Sequence, residues 1–324
     1  MGETTESLDL CTFIKNELGP RGLPTFAVTA RKEQIAWRTT GWRAWRAGEI
    51  RFHDFLRNLL PGRFKSAALQ RKLQTFLHGE VEEVFRRAGL YRGTATLFGE
   101  PFSATSPRGF KNWLLAIKLI NEVILRDEYQ ARLHIADGAV VIDAGANIGT
   151  FAVLSATLAP RGRIYAFEPA HTTFQTLERN LKPYPNAAAV HSALGNRIGS
   201  AELLVNESFD AGNSLTESGV PAELIGSYFH DKETVPITTI DAFVREHNLP
   251  RVDFIKMDTE GFEKQILEGA KETIHTHRPA MSLSAYHKPG DPERLKAIIA
   301  GYCPEYRFVL KNSPELDLIC TVAR

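Results

Sequence analysis

From about residue 130 to the C-terminus, short apolar runs alternate with helical patterns, and this alternation constrains the fold more than any other feature. "AVVID" (139–143), "GRIYAFEP" (162–169), "NAAAVHSALG" (186–195), "VDFIKMD" (252–258) and "RPAMSLSAYH" (278–287) read as strands. The first is apolar on both faces, so it needs cover above and below, as in a parallel sheet between helices. "IGTFAVLSATLA" (148–159), "HTTFQTLERNLK" (171–182), "TTIDAFVREHN" (238–248), "EGFEKQILEGAKETI" (260–274) and "PERLKAIIAGY" (292–302) supply the helices. Pro160 stops the first of them, and Thr239 or Asp241 is placed to cap the third. Runs near 201–206 and 234–238 read as an antiparallel excursion, and "YRFVLKN" with "LDLICTVA" as a terminal hairpin. Five parallel strands with right-handed crossovers, closed by an edge hairpin, make a doubly wound α/β sheet.

The first 130 residues follow another pattern. "ALQRKLQTFLHGEVEEVFRRAGLY" (68–91) and "FKNWLLAIKLINEVILRDEYQARL" (110–133) carry apolar residues at helical spacing, "RFHDFLRNLL" (51–60) reads as a further helix, and "GTATLFGEPFSAT" as a hairpin with Gly99 in its turn. Residues 1–132 are therefore expected to form a mainly α-helical module and residues 133–324 the sheet domain. Charge supports two modules: residues 1–135 hold 21 Lys+Arg against 14 Asp+Glu, residues 136–324 hold 18 against 24, and the whole is +1. That near-neutral total gives no global field toward nucleic acid or membrane. The stretch at 36–55, where Trp37, Trp42 and Trp45 interleave with arginines, reads as an amphipathic helix, with a nucleic-acid surface as the weaker alternative. It also suits a surface that holds an extended substrate or pairs subunits. The three cysteines, Cys11, Cys303 and Cys320, lack metal or disulfide spacing and fit a reducing cytoplasm. No run is apolar enough to span a membrane, the polar N-terminus resembles no signal peptide, and Glu6 departs from a myristoylation motif.

Ligands of a doubly wound sheet sit at the carboxyl ends of its strands. Asp143, Gly145, Ala146, Asn147, Gly149 and Thr150 fall at that end of the first strand, Glu168 and Pro169 at the end of the second. The glycines permit a tight turn and close backbone approach, and a carboxylate at Glu168 can accept hydrogen bonds from both ribose hydroxyls. A dinucleotide fingerprint wants a glycine where Asn147 stands, and the turn has no cation for phosphate. Adenosine without pyrophosphate fits better, as in S-adenosylmethionine. A dehydrogenase on a degenerate turn, or a nucleotide-binding module without catalysis, remains the alternative from these residues alone.

"VVIDAGANIGTFAVLSA", "GRIYAFEPAHTTFQTLERNL", "VPITTIDAFV" and "VDFIKMDTEGFEKQILEGA", in this order, resemble the FkbM-type family of S-adenosylmethionine-dependent methyltransferases over about residues 136–310. The resemblance implies a Rossmann-like, seven-stranded class I methyltransferase sheet. It also implies methylation of a hydroxyl on a carbohydrate or secondary metabolite, with S-adenosylhomocysteine as product. By position, Asp143, Gly145, Asn147 and Gly149 would line the methionine end of the cofactor, Glu168 would hold the ribose, and Ser192 and Ala193 would lie near the adenine. Lys256, Asp258 and Glu260 end the fourth strand, where donor and acceptor would meet. His287, ending the fifth, is a candidate base beside Asp258, and Lys256 is placed to stabilise an oxyanion or position the carboxylates. Asn213 and Ser214 fall in a candidate active-site loop. Asp258, Glu260 and His287 carry oxygen and nitrogen ligands but no recognisable metal spacing, so no metal is expected. A side-chain amide nitrogen of a peptide precursor is the alternative acceptor. The expected partners are a small-molecule, glycan or peptide acceptor, with a homodimer formed through the N-terminal module as a further expectation.

Overall fold

The computed structural model describes residues 8–14, 86, 90, 95–104, 110–206, 213–218, 229, 231–312 and 316–322. The chain divides into two compact units, Met1–Leu8 with Thr12–Gly93, and Asp9–Cys11 with Thr94–Arg324. The helical patterns at 51–60 and 68–91 and the Trp–Arg stretch lie outside the described residues, Arg86 and Leu90 apart. The division falls near residue 93, so the segment from 94 to 132 shares a unit with the sheet.

That unit opens with a hairpin, β1 (Ala95–Leu97) and β2 (Glu100–Phe102), turning on Phe98 and Gly99 at φ 53° and 84°. Two positive φ values are what a tight hairpin turn requires. Helix α1 (Phe110–Leu119) continues into a π-helical segment, Ile120–Leu125. The sequence pattern reads as one helix through 133, but the chain breaks here. Asp127 and Gln130 take φ of 52° and 55°, and the Asp127 carboxylate accepts from the amides of Ala131 and Arg132 at 2.8 and 3.2 Å. A short new helix, α2 (Ala131–His134), starts there.

The sheet follows with β3 (Val140–Ala144), α3 (Thr150–Leu158), β4 (Arg163–Phe167), α4 (His171–Leu181) and β5 (Ala187–Val190). Next come β6 (Ala193–Leu194), β7 (Gly199–Val205), β8 (Ser214–Leu215), β9 (Asp231–Thr238) and α5 (Ile240–Glu246). Then β10 (Phe254–Met257), α6 (Glu263–Glu268), α7 (Lys271–His277), β11 (Ala280–Ser284), α8 (Asp291–Tyr302), β12 (Tyr306–Asn312) and β13 (Leu316–Val322) complete the chain. Seven strands form one sheet in the order β12-β13-β11-β10-β3-β4-β5. The five expected strands are its parallel members, and the terminal hairpin is its antiparallel edge. This is the Rossmann-like seven-stranded α/β fold. Every residue of β3 is buried, as its apolar run requires. The chain runs outward through β3, β4 and β5 and then returns to β10 beside β3, which leaves a crevice at their carboxyl ends.

Two boundaries differ from the sequence pattern. The third strand was expected to run through 195, but after Val190 the Ser192 amide turns back to the Val190 carbonyl at 2.9 Å. Ala193 and Leu194 instead pair with β9, in a small sheet ordered β6-β9-β7-β8 that contains the antiparallel excursion. The helix expected over 260–274 is two, divided at Gly269. A Cβ there would stand 2.0 Å from the Gly195 carbonyl oxygen, so the chain passes too close for any side chain. Thr239 caps α5 by accepting from the Ala242 amide at 3.0 Å. Asp241 caps α7, accepting from the Glu272 and Thr273 amides at 2.9 and 2.8 Å.

Candidate active site

The turn after β3 is built by backbone constraints. Gly145, Asn147 and Gly149 have φ of 73°, 50° and 93°. A Cβ on Gly145 would lie 2.0 Å from the Asp258 carbonyl oxygen, so only glycine fits. The Gly145 and Ala146 amides donate to the Phe167 carbonyl at 3.1 and 2.9 Å, which ties the turn to the end of β4. Glu168 follows directly. Its Oε2 accepts from the Asn147 amide at 3.0 Å and its Oε1 from the Ala170 amide at 2.9 Å. Burial pushes this carboxyl up to about 7, against the opposing pull of those two amides and of Lys256.

Two cavities flank the turn. A cleft of about 70 Å³ runs over Glu168, Pro169, Ser192, Ala193, Asn213 and Phe262. Among the described residues no lysine or arginine lines it. A larger cavity of about 250 Å³ lies on the other side, walled by α1 and the π-helical segment and floored by Ala146, Thr150, Phe151 and Lys256. Gly145, Asn147, Asp258 and Glu260 line both. Sequence reasoning thus finds most of the smaller cleft and the shared wall.

Other expected residues stand behind these surfaces. Asp143 lines neither cavity; it is fully buried and paired to Lys256 Nζ at 3.1 Å. Burial raises its pKa, partly offset by Lys256. Lys256 Nζ also donates to the Gly145 carbonyl at 2.7 Å, so the pair braces the turn from beneath. Gly149 begins α3 and would clash with Leu177 if it carried a Cβ. The Ser214 hydroxyl lies 2.7 Å from that of Ser218 and donates to the Glu260 carbonyl at 3.2 Å.

Asp258 ends β10 on the shared wall. Its Oδ2 accepts from the Tyr129 hydroxyl at 2.8 Å, and the Tyr129 ring lies 5.5 Å from Lys256 Nζ. Burial would raise the Asp258 carboxyl, but Lys256 and His287, with the hydroxyls of Tyr129 and Ser284, hold it below its usual range. His287 lines neither cavity and stands behind Asp258. Its Nδ1 is 3.1 Å from Glu263 Oε1, and its Nε2 is 3.7 Å from Asp258 Oδ1 and 3.6 Å from Glu260 Oε2. Burial would lower the imidazole, yet Glu263, Asp258 and Glu260 drive it up to about 9. At neutral pH this ring carries a proton, so of the two candidate bases Asp258 is the one in a form that can accept one.

Tyr129 and Glu263 were not found from sequence. Tyr129 sits where a continuous helix was read; the polar "RDEYQ" run, with an Asp four residues before Ala131, was the available signal. Glu263 holds the turn before α6, accepting from the Thr259 amide at 3.0 Å and the Gly261 amide at 3.4 Å. No capping-box spacing points to it, because the residue three after Thr259 is Phe262.

A family profile described as the methyltransferase FkbM domain matches residues 143–310, just over half of the 324 residues. The chain belongs to the FkbM methyltransferase family. "Methyltransferase 1" of Beauveria bassiana (strain ARSEF 2860) is 28% identical over 170 residues, covering 48% of this chain and 68% of that protein. "2-O-methyltransferase NoeI" of Sinorhizobium fredii (strain NBRC 101917 / NGR234) is 24% identical over 195 residues, covering 57% of this chain and 75% of its own length. A solved structure of methyltransferase FkbM from Methylobacillus flagellatus KT is similar at 17% identity and a TM-score of 0.46, over 90% of this chain and 62% of that one. Among the described residues no helix is long and apolar enough to cross a membrane.

Proposed function

We propose that this FkbM-family chain is an S-adenosylmethionine-dependent O-methyltransferase acting on a hydroxyl of a carbohydrate or secondary metabolite. The observation that carries this reading is the pair of cavities sharing one wall at Gly145, Asn147, Asp258 and Glu260, with Glu168 at the far end of the smaller. The smaller cleft suits an adenosine with a positive sulfonium. Each Glu168 oxygen accepts one amide hydrogen bond, leaving capacity for the two ribose hydroxyls. Among the described residues the cleft lining has Glu168, Asp258 and Glu260 and no cation to meet a pyrophosphate. Asn147 also stands where a dinucleotide site needs glycine. These features favour S-adenosylmethionine over a nicotinamide dinucleotide.

When bound, the cofactor supplies a methyl group activated by a cationic sulfur. The chain's own work is positioning, proton acceptance and exclusion of water. Asp258, fixed by Tyr129, lies on the wall common to both cavities and accepts the acceptor hydroxyl's proton as its oxygen commits to the new bond. Lys256 positions the turn and sets the local field. Leu115, Leu119, Val123 and Phe151 give the larger cavity a dry wall. A hydroxyl acceptor agrees with the name of the 2-O-methyltransferase relative; a peptide amide nitrogen is the second acceptor to test.

Calorimetry with S-adenosylmethionine, S-adenosylhomocysteine and NAD tests the cofactor. Binding of the first two without NAD is expected, and binding of NAD alone would overturn the reading. Mass spectrometry of a panel of sugars, hydroxylated metabolites and Asn-containing peptides then identifies the methylated atom. A product methylated only at amide nitrogen would replace the hydroxyl assignment.

A further inference from the structure

Around Asp258 lies a cluster whose other members, Glu260, Glu263 and His287, proton acceptance does not use. Ligand atoms of Asp258, Glu263 and His287 lie within 4.8 Å of one another, with Glu260 beside them. The His287 side chain is 8% exposed, and neither ring nitrogen makes a hydrogen bond among the described residues; Nδ1 has only the 3.1 Å ion-pair contact with Glu263. The two carboxylate oxygens facing Nε2, at 3.7 and 3.6 Å, are too distant for hydrogen bonds. Donors sharing one metal at bonds of about 2.0–2.2 Å stand roughly 3–3.5 Å apart, close to the 3.7 and 3.6 Å that separate Nε2 from these two oxygens. Glu263 occupies the opposite ring nitrogen at 3.1 Å and is itself held by the Thr259 and Gly261 amides. A carboxylate behind a metal-binding histidine orients the ring in this way. Three carboxylates around one imidazole also supply the charge a divalent cation demands, while Lys256 on the far side is paired with Asp143.

We propose that Asp258, Glu260 and His287 Nε2 bind a divalent transition-metal ion, with Glu263 orienting the imidazole. Mixed imidazole and carboxylate ligands suit Mn²⁺ or Zn²⁺ better than Mg²⁺ or Ca²⁺. The ion contacts Asp258 through Oδ1, leaving Oδ2 for Tyr129 and the larger cavity, and it displaces the proton that His287 carries at neutral pH, so uptake releases a proton and strengthens as pH rises. An acceptor oxygen reaching an open coordination position would be polarised as it loses its proton. That last role rests on the methyltransferase reading; metal binding itself does not.

The full chain, stripped with a chelator, is titrated with Mn²⁺ and followed by electron paramagnetic resonance of the free ion. Uptake of one ion per chain is expected, displaced by Zn²⁺, and at least tenfold weaker in Asp258→Asn and His287→Ala. Circular dichroism checks that both variants fold. If they do not, nitrogen hyperfine coupling to bound Mn²⁺ in the unaltered chain decides, and a signal from an imidazole nitrogen is expected. No uptake, uptake unchanged in folded variants, or bound Mn²⁺ without nitrogen coupling overturns the site. S-adenosylhomocysteine binding, measured separately, shows whether the methyltransferase reading has failed instead.

Discussion

At the scale of single residues, the role proposed for Glu168 makes cofactor binding depend on pH. The folded pKa of Glu168, about 7, exceeds the ordinary carboxyl value of 4.5. Between those values the folded chain holds a proton that the unfolded chain has lost, so this residue's contribution to stability falls as pH rises from 4.5 toward 7. Ribose hydroxyls donate to the ionised carboxylate, so affinity runs the other way. S-adenosylhomocysteine binding is expected to weaken by roughly tenfold per unit as pH falls below 7. Calorimetry from pH 5.5 to 8.5 measures this, and a flat profile would remove Glu168 from the binding site. The Asp143–Lys256 pair makes a different kind of prediction. Lys256→Met strands a fully buried carboxylate, which costs about 3–5 kcal/mol. The double variant Asp143→Asn, Lys256→Met removes both charges of the pair and should recover most of that loss in urea unfolding. The sequence pattern makes both residues site candidates, but it could not show that Asp143 faces Lys256 rather than the cleft. Both assignments follow equally from a position at a strand end; only side-chain packing separates them.

At the scale of elements, the five parallel strands and edge hairpin were legible because β-rich runs and helical periods alternate without ambiguity. The breaks were not, since each depends on distant contacts. Gly269 divides α6 from α7 because the Gly195 carbonyl passes over it, 74 residues away in sequence, from 269 − 195. The break between the π-helical segment and α2 matters more for function, because it turns Tyr129 toward Asp258. Tyr129 is a positioning residue: its hydroxyl donates to Oδ2 at 2.8 Å, and its ring packs edge-on against Phe151 at 5.6 Å. Tyr129→Phe keeps the ring contact and removes one hydrogen bond to a charged group, an interaction of about 1.5–3 kcal/mol. S-adenosylhomocysteine affinity should change less than about twofold while kcat falls roughly tenfold or more, the equivalent of about 1.4 kcal/mol in the barrier. An unchanged kcat would show that the acceptor side does not depend on this hydroxyl.

At the scale of the whole sheet-bearing unit, the two cavities belong to different parts of the fold. The smaller rests on strand ends and on the small sheet carrying Leu203 and Leu215; the larger is roofed by α1 and the π-helical segment. The strand-end half was readable because glycine turns and terminal acids fall at fixed places in a doubly wound sheet. The roof was not, because helical periodicity shows which face is buried and says nothing of the cavity beneath it. A ligand in the smaller cleft bridges the ends of β3, β4 and β10 and should stabilise the unit as a whole. At about one hundred times its dissociation constant, S-adenosylhomocysteine adds about 2.7 kcal/mol. For a unit of this size each kcal/mol raises the midpoint by about 2–4 °C, which gives a shift of roughly 5–11 °C. At fixed ligand concentration the shift should shrink as pH falls through 7, because protonated Glu168 no longer accepts from the ribose. Scanning calorimetry at pH 8 and pH 6 separates this from general stabilisation: NAD should give no shift at either pH, and a shift independent of pH would place the ligand away from Glu168.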